Sequence, residues 1–93
     1  MRVVLSPEAL GDITSIIAFI AEDNPTAASA LRDRLGAGLR QIEQFPQSAP
    51  ENPDFPGVRE LAVGSYVICY EIRADMVGVL RVFHAAQDRD QLL

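Results

Sequence analysis

Two hydrophobic periods divide the chain. Up to Phe45 the apolar residues recur every three or four positions, and from Val58 onward they alternate. Ahead of both, Arg2-Val3-Val4-Leu5 is a short β-branched run, long enough for one strand. Ser6-Pro7-Glu8 then starts a helix, with a hydroxyl to cap the first amides, a proline in the first turn and an acid at the positive end of the dipole. Leu10, Ile13, Ile17 and Ile20 form one stripe along it. Ile16 and Phe19 broaden the stripe, which predicts a helix covered on more than one side and ending near Glu22. Asn24-Pro25 repeats the start signal. Ala28, Leu31, Leu35, Leu39, Ile42 and Phe45 carry a second helix to Pro46, before which the helical conformation is disfavoured. Two helices with only two or three residues between them lie antiparallel, as a hairpin. Gly36 and Gly38 cost about 1 kcal/mol each against Ala, and are expected to let the partner helix approach closely.

Pro46, Pro50, Pro53 and Pro56 make residues 47–57 a loop, polar except for Phe55, which is expected to pin it to the body of the protein. Val58 to Val63 is a strand, and Gly64-Ser65 fits a two-residue hairpin turn with glycine first. Tyr66, Ile68, Tyr70 and Ile72 alternate with Val67, Cys69, Glu71 and Arg73. Ala74-Asp75 marks a reversal, and Met76 to His84 is a further strand; this strand or its neighbour can take Val3–Leu5 as an additional one. Helices need an apolar surface to cover, and the sheet offers one. The expected fold is α+β: an N-terminal strand, then an antiparallel helical hairpin packed on a C-terminal antiparallel sheet of three to four strands, all in a single domain over residues 1–93.

Charge narrows the function. Thirteen acids against eight arginines (Arg2, Arg32, Arg34, Arg40, Arg59, Arg73, Arg81 and Arg89), with no lysine, give a net charge of -5. Such a chain is ill suited to phosphate-driven nucleic-acid binding, so no direct contact with nucleic acid is expected. Lysine chemistry is excluded outright. The single cysteine, Cys69, rules out an internal disulfide and a cysteine-rich zinc site, and its apolar neighbours make it a small buried hydrophobe. No cofactor or metal is expected. The apolar stretch Ile16 to Ala21 is too short to span a bilayer and no secretory signal is visible, so the expected location is cytoplasmic, with no membrane contact.

Taken in order, Ser6-Pro7-Glu8-Ala9 with Asp12-Ile13, Ile20-Ala21 and Asn24-Pro25-Thr26-Ala27-Ala28 resemble the helical hairpin of the RelE/ParE toxin superfamily, in its ParE-like branch. Phe45-Pro46, Val58-Arg59-Glu60-Leu61, Tyr66 to Ile72 and Val79-Leu80-Arg81-Val82-Phe83-His84 extend the likeness over nearly the whole chain. The family often has an arginine three residues after the final histidine, where this chain has Gln87. The resemblance implies the toxin of a type II toxin–antitoxin pair. Its partner would be a ParD-like antitoxin whose C-terminal segment is disordered alone and folds along the toxin. ParE-like members resemble poisons of DNA gyrase without known nuclease chemistry. RelE-like members resemble ribosome-dependent mRNA endonucleases and tend to be basic.

The alternative of an endoribonuclease needs an acid and a base near the scissile phosphate, with cations to stabilise its charge. The candidates are His84 as acid or base, Glu60 as base, and Arg59 and Arg81 as cations. A two-residue turn at Gly64-Ser65 sets Arg59 opposite Tyr70. A three-residue turn at Ala74-Asp75-Met76 sets Tyr66 opposite His84, Tyr70 opposite Leu80 and Cys69 opposite Arg81. That register gathers Tyr66, Ile68, Tyr70, Ile72, Leu80 and Val82 on one face and sends Glu71, Arg73 and Arg81 to the other. Arg59 and His84 then share a face but stand four positions apart along the sheet, about 13 Å, with Arg81 pointing away from both. The more ordinary roles are ion pairing or stacking for Arg59, a strand-end position for His84, and solvated charges for Glu60, Glu71 and Asp75. No catalytic set is assigned, and the reading favours a binding protein over an enzyme.

Overall fold

The computed structural model describes residues 1–86. Its elements run β1 (Arg2–Leu5), α1 (Pro7–Asp23), α2 (Pro25–Gln44), β2 (Val58–Val63), β3 (Tyr66–Ile72) and β4 (Met76–His84). The four strands form one sheet in the order β1-β4-β3-β2. The β2–β3–β4 meander is antiparallel, while β1 pairs with β4 in parallel, Val3 opposite Val77 and Leu5 opposite Val79. The fold is the expected α+β arrangement, with a fourth strand added in parallel. Among the described residues no helix is long and apolar enough to cross a membrane.

Capping sets the helix boundaries. The Ser6 hydroxyl accepts from the Ala9 amide at 2.9 Å and the Asn24 side chain accepts from the Ala27 amide at 3.0 Å. Asn24 also ends α1, its amide bonding the Ile20 carbonyl, so one residue both closes the first helix and opens the second. The connection is therefore shorter than the two or three residues expected, and α1 runs to Asp23.

Packing corrects three expectations. First, α1 is covered on one side only: Ala9 is its one buried residue, Ile13, Ile16, Ile17 and Ile20 are half-buried, and Leu10 and Phe19 are 55% and 73% exposed. With two layers, nothing among the described residues lies above α1 to cover a second stripe. Second, Gly38 faces the sheet rather than the partner helix. A methyl there would lie 2.9 Å from Val63 Cγ2 and 3.1 Å from Ile68 Cδ1, whereas one at Gly36 would meet only Arg40. Third, Phe55 is only half-buried, and the loop is anchored instead by buried Ala49 and Asn52. Phe55 contributes its carbonyl, which accepts from the Val58 amide across Pro56-Gly57. Gly57 has φ +87°, the geometry of a type II turn.

The strand register departs at one point. Val63 faces Tyr66 across Gly64-Ser65, with positive φ at Gly64, and Arg59 faces Tyr70, as expected. Tyr66 faces His84 and Cys69 faces Arg81, but Tyr70 faces Val79 rather than Leu80. The Ala74-Asp75 reversal is one residue tighter than expected, closed by the Arg73 amide on the Met76 carbonyl, and a β-bulge between Cys69 and Tyr70, with Leu80 as the extra residue, takes up the difference. The bulge lets Val77 and Val79 on one side of it, and Val82 on the other, join Ile68 and Tyr70 in the core under the helices. Leu80 consequently turns to a smaller cluster with Val67, Cys69 and Phe83, not to the helix-facing core.

Candidate functional site

At the start of β2, Arg59 serves the preceding loop. Its guanidinium donates to the carbonyls of Gln47 (3.2 Å) and Ala49 (2.7 Å) and pairs with Glu51 at 3.6 Å. It is an ion-pairing group, with its Nη1 spent on backbone that Pro46 and Pro50 keep out of regular structure. Tyr70 opposite it is buried and donates its hydroxyl to the Pro46 carbonyl at 2.6 Å. Burial raises the Tyr70 pKa, against the lowering influence of Arg59 and of a backbone hydrogen bond at Ala49. Glu60, next along β2, accepts from the buried Asn52 side chain at 3.2 Å and so holds the loop from the second side.

Arg81 stands opposite Cys69 as expected, but its guanidinium reaches α1 rather than pointing away from it. Asp12 of α1 takes it in a bidentate pair, Nε at 2.8 Å and Nη2 at 2.9 Å. The same carboxylate accepts from the Val82 amide at 2.9 Å. The pairing has a backbone cause. β1 ends opposite Val79, so among the described residues the edge of β4 beyond it has no strand beside it. The Ser6 hydroxyl takes the Leu80 carbonyl and Asp12 takes the Val82 amide, and the helix start thus completes what β1 leaves open. The Asp12 hydrogen bond raises the Arg81 pKa further. Asp12 is the residue that sequence reasoning passed over. Its signal was present as the one acid between Leu10 and Ile13 in an otherwise apolar stripe.

His84 closes the other end of β4. Its ring meets Tyr66 edge-on at 5.3 Å, and its Nδ1 accepts from the Ala86 amide at 3.1 Å. Around the two rings lies an open groove of about 550 Å³ lined by Ser15, Ile16, Phe19, Tyr66, His84 and Ala86. Its walls are largely carbon, and Phe19 is the most exposed large apolar side chain bordering it.

Cys69 is fully buried on the sheet face away from the helices. Burial, reinforced by Glu60 and Glu71 and opposed by Arg81, pushes its thiol up to about 11, so it is no nucleophile at neutral pH. Glu71 is bound to Arg73 at 2.7 Å, and Arg73 lies across Gly78, where a side chain would crowd it. Gln87 lies outside the described residues. Among the described residues no three His, Cys, Asp or Glu side chains gather to hold a metal ion.

The four candidate groups of a nuclease thus occupy separate places. Arg59 and Glu60 secure the loop, Arg81 secures α1, and His84 stands at the groove, four β3 positions from the Arg59–Tyr70 pair. That is about 13 Å along the strand before the width of the sheet is added.

Comparison with known proteins accounts for the arrangement as a whole. A solved structure described as the chromosomal ParDE toxin–antitoxin system from P. aeruginosa superposes with a TM-score of 0.79 over 90% of this chain and 95% of that one, at 18% identity, a likeness of fold. The putative toxin Y4kP of Sinorhizobium fredii is 32% identical over 94 residues, 99% of this chain and 96% of its own. The toxin RelE2 of Caulobacter vibrioides is 31% identical over 87 residues, covering 92% and 97%. The family of ParE toxins of the type II toxin–antitoxin system parDE matches residues 3–89, and the chain belongs to it.

Proposed function

We propose that this type II toxin acts by binding a protein target, DNA gyrase, to arrest growth, and that a ParD-like antitoxin neutralises it by folding its C-terminal segment onto the toxin. The observation that carries the first half is the dispersal of His84, Arg81, Arg59 and Glu60. General acid–base cleavage of RNA needs such groups within hydrogen-bond reach of one phosphate, and here Arg81 and Arg59 are occupied by Asp12 and by loop carbonyls. The net charge of -5 works in the same direction, since a ribosome-bound message is a polyanion. The groove beside Phe19 supports the second half. An exposed apolar helix face next to an open apolar depression suits an amphipathic segment that orders as it binds.

Induction of the chain without antitoxin in a growing culture tests this. The expected result is growth arrest with an induced DNA-damage response and intact transcripts, together with inhibition of purified gyrase supercoiling. Rapid transcript cleavage in a translating extract, abolished by His84→Ala, would replace this reading with the RelE-type endonuclease.

A further inference from the structure

β2 is the outer strand of the sheet, and only part of its outer edge is used. The Asn52 amide donates to the Val58 carbonyl and the Glu60 amide donates to the Pro50 carbonyl, so Val58 and Glu60 point their backbone groups outward to the chain's own loop. Alternation along an antiparallel strand directs Ala62 outward in the same way, while Leu61 and Val63 face β3. The loop does not reach that far, and among the described residues nothing pairs with the N–H and C=O of exposed Ala62, which lie at an open edge. A groove of about 310 Å³ runs beside it between β2 and α2, lined by Arg34, Ala37, Gln41 and Ala62 among others. The Arg34 guanidinium lies against Gly64 at the end of that edge, where even a methyl on the glycine would strike it. Among the described residues Arg34 has no hydrogen-bond or ion-pair partner.

The structure assigns this edge as a docking site for an extended, acidic peptide segment of a partner protein. The segment would pair with both backbone groups of Ala62 and place a carboxylate on Arg34. Sheet edges of this kind are ordinarily blunted by Lys, Pro or a bulge, and Leu61-Ala62-Val63 has none of these. A second copy of the chain is the less suitable occupant. Two-fold pairing of β2 with β2 about Ala62 would set two α2 helices, each with its Arg34, side by side in one layer. The site is distinct from the apolar groove at Phe19, and its probe is synthetic, so it stands or falls independently of the toxin reading.

The test is an amide-shift titration of the whole chain with the capped peptide Ac-Val-Thr-Val-Glu-Val-NH2 and its Lys counterpart. Expected are shifts centred on Leu61 to Gly64, slowed exchange of the Ala62 amide, and roughly threefold tighter binding of the Glu peptide, the size of one surface ion pair. Ala62→Pro removes the outward N–H without touching the β2–β3 ladder and should abolish the shifts. Arg34→Glu should reverse the preference toward the Lys peptide, which keeps the assignment testable should the proline variant fail to fold. Shifts located elsewhere, equal binding of the two peptides, or concentration-dependent shifts at Ala62 without peptide would overturn it, the last by making the occupant a second copy.

Discussion

The Asp12–Arg81 contact joins the two layers of the fold, and its removal has a calculable cost. Asp12 is 17% exposed and Arg81 30% exposed at the side chain, and three hydrogen bonds of 2.8–2.9 Å converge on one carboxylate. Hydrogen bonds to a charged partner are each worth about 1.5–3 kcal/mol when buried, and the residual exposure discounts the two on Arg81 toward the surface range. Asp12→Ala leaves the Val82 amide without an acceptor and a half-buried guanidinium without a counter-charge. The expected loss is about 2–3 kcal/mol, a fall in Tm of roughly 10–20 °C for a chain of this size. Arg81→Met retains most of the stem packing and leaves Asp12 with the Val82 amide, so about 1–2 kcal/mol is expected. Urea unfolding of the two single variants and the double variant gives the coupling directly, expected at about 1–2 kcal/mol. A coupling below about 0.3 kcal/mol would refute the reasoning, because the pair would then be a solvated surface contact with no part in holding α1 to β4.

Three further outcomes are expected. Gly38→Ala should lose about 1 kcal/mol by urea unfolding, because crowding against Val63 and Ile68 exceeds the gain in helix propensity, while Gly36→Ala, facing only Arg40, should gain up to about 1 kcal/mol. Cys69 holds its proton to about pH 11 when folded and to about 9 when unfolded, so the native state binds the extra proton between these values and loses stability as pH rises through them. Relative to Cys69→Ala, the wild type should therefore lose roughly 2–3 kcal/mol from pH 9 to 11, and its thiol should resist aromatic disulfide reagents at pH 8. Phe19→Ser should shift stability by no more than about 0.5 kcal/mol yet weaken binding of the antitoxin by calorimetry. Unchanged affinity would remove the α1 groove from that interface.

The sequence by itself determined every element and nearly every boundary. Ser6-Pro7 and Asn24-Pro25 start the helices because a capping side chain and a proline act within one turn, and Gly64-Ser65 closes a hairpin because glycine alone accepts its backbone angle cheaply. These are local effects, and local effects are legible in order along the chain. The bulge in β4 was half-legible. Apolar residues keep phase at Val77 and Val79 and change phase at Val82, which is the mark of one extra residue between them. The position of that residue depends on which strand β4 faces and how tightly Ala74-Asp75 turns.

Only the tertiary structure decided what had no local cause. An apolar stripe states that a helix has something to bury, but the number of layers decides how much is covered, and two layers leave Phe19 and Leu10 in solvent. A glycine states that something comes close, and only packing shows that for Gly38 it is the sheet. An aspartate on an apolar helix states little until β1 ends opposite Val79 and exposes the edge of β4 that it completes. Charged groups at the candidate site were read correctly as residues and incompletely as partners, because an ion pair 69 residues apart in the chain is set by the fold that brings its two halves together.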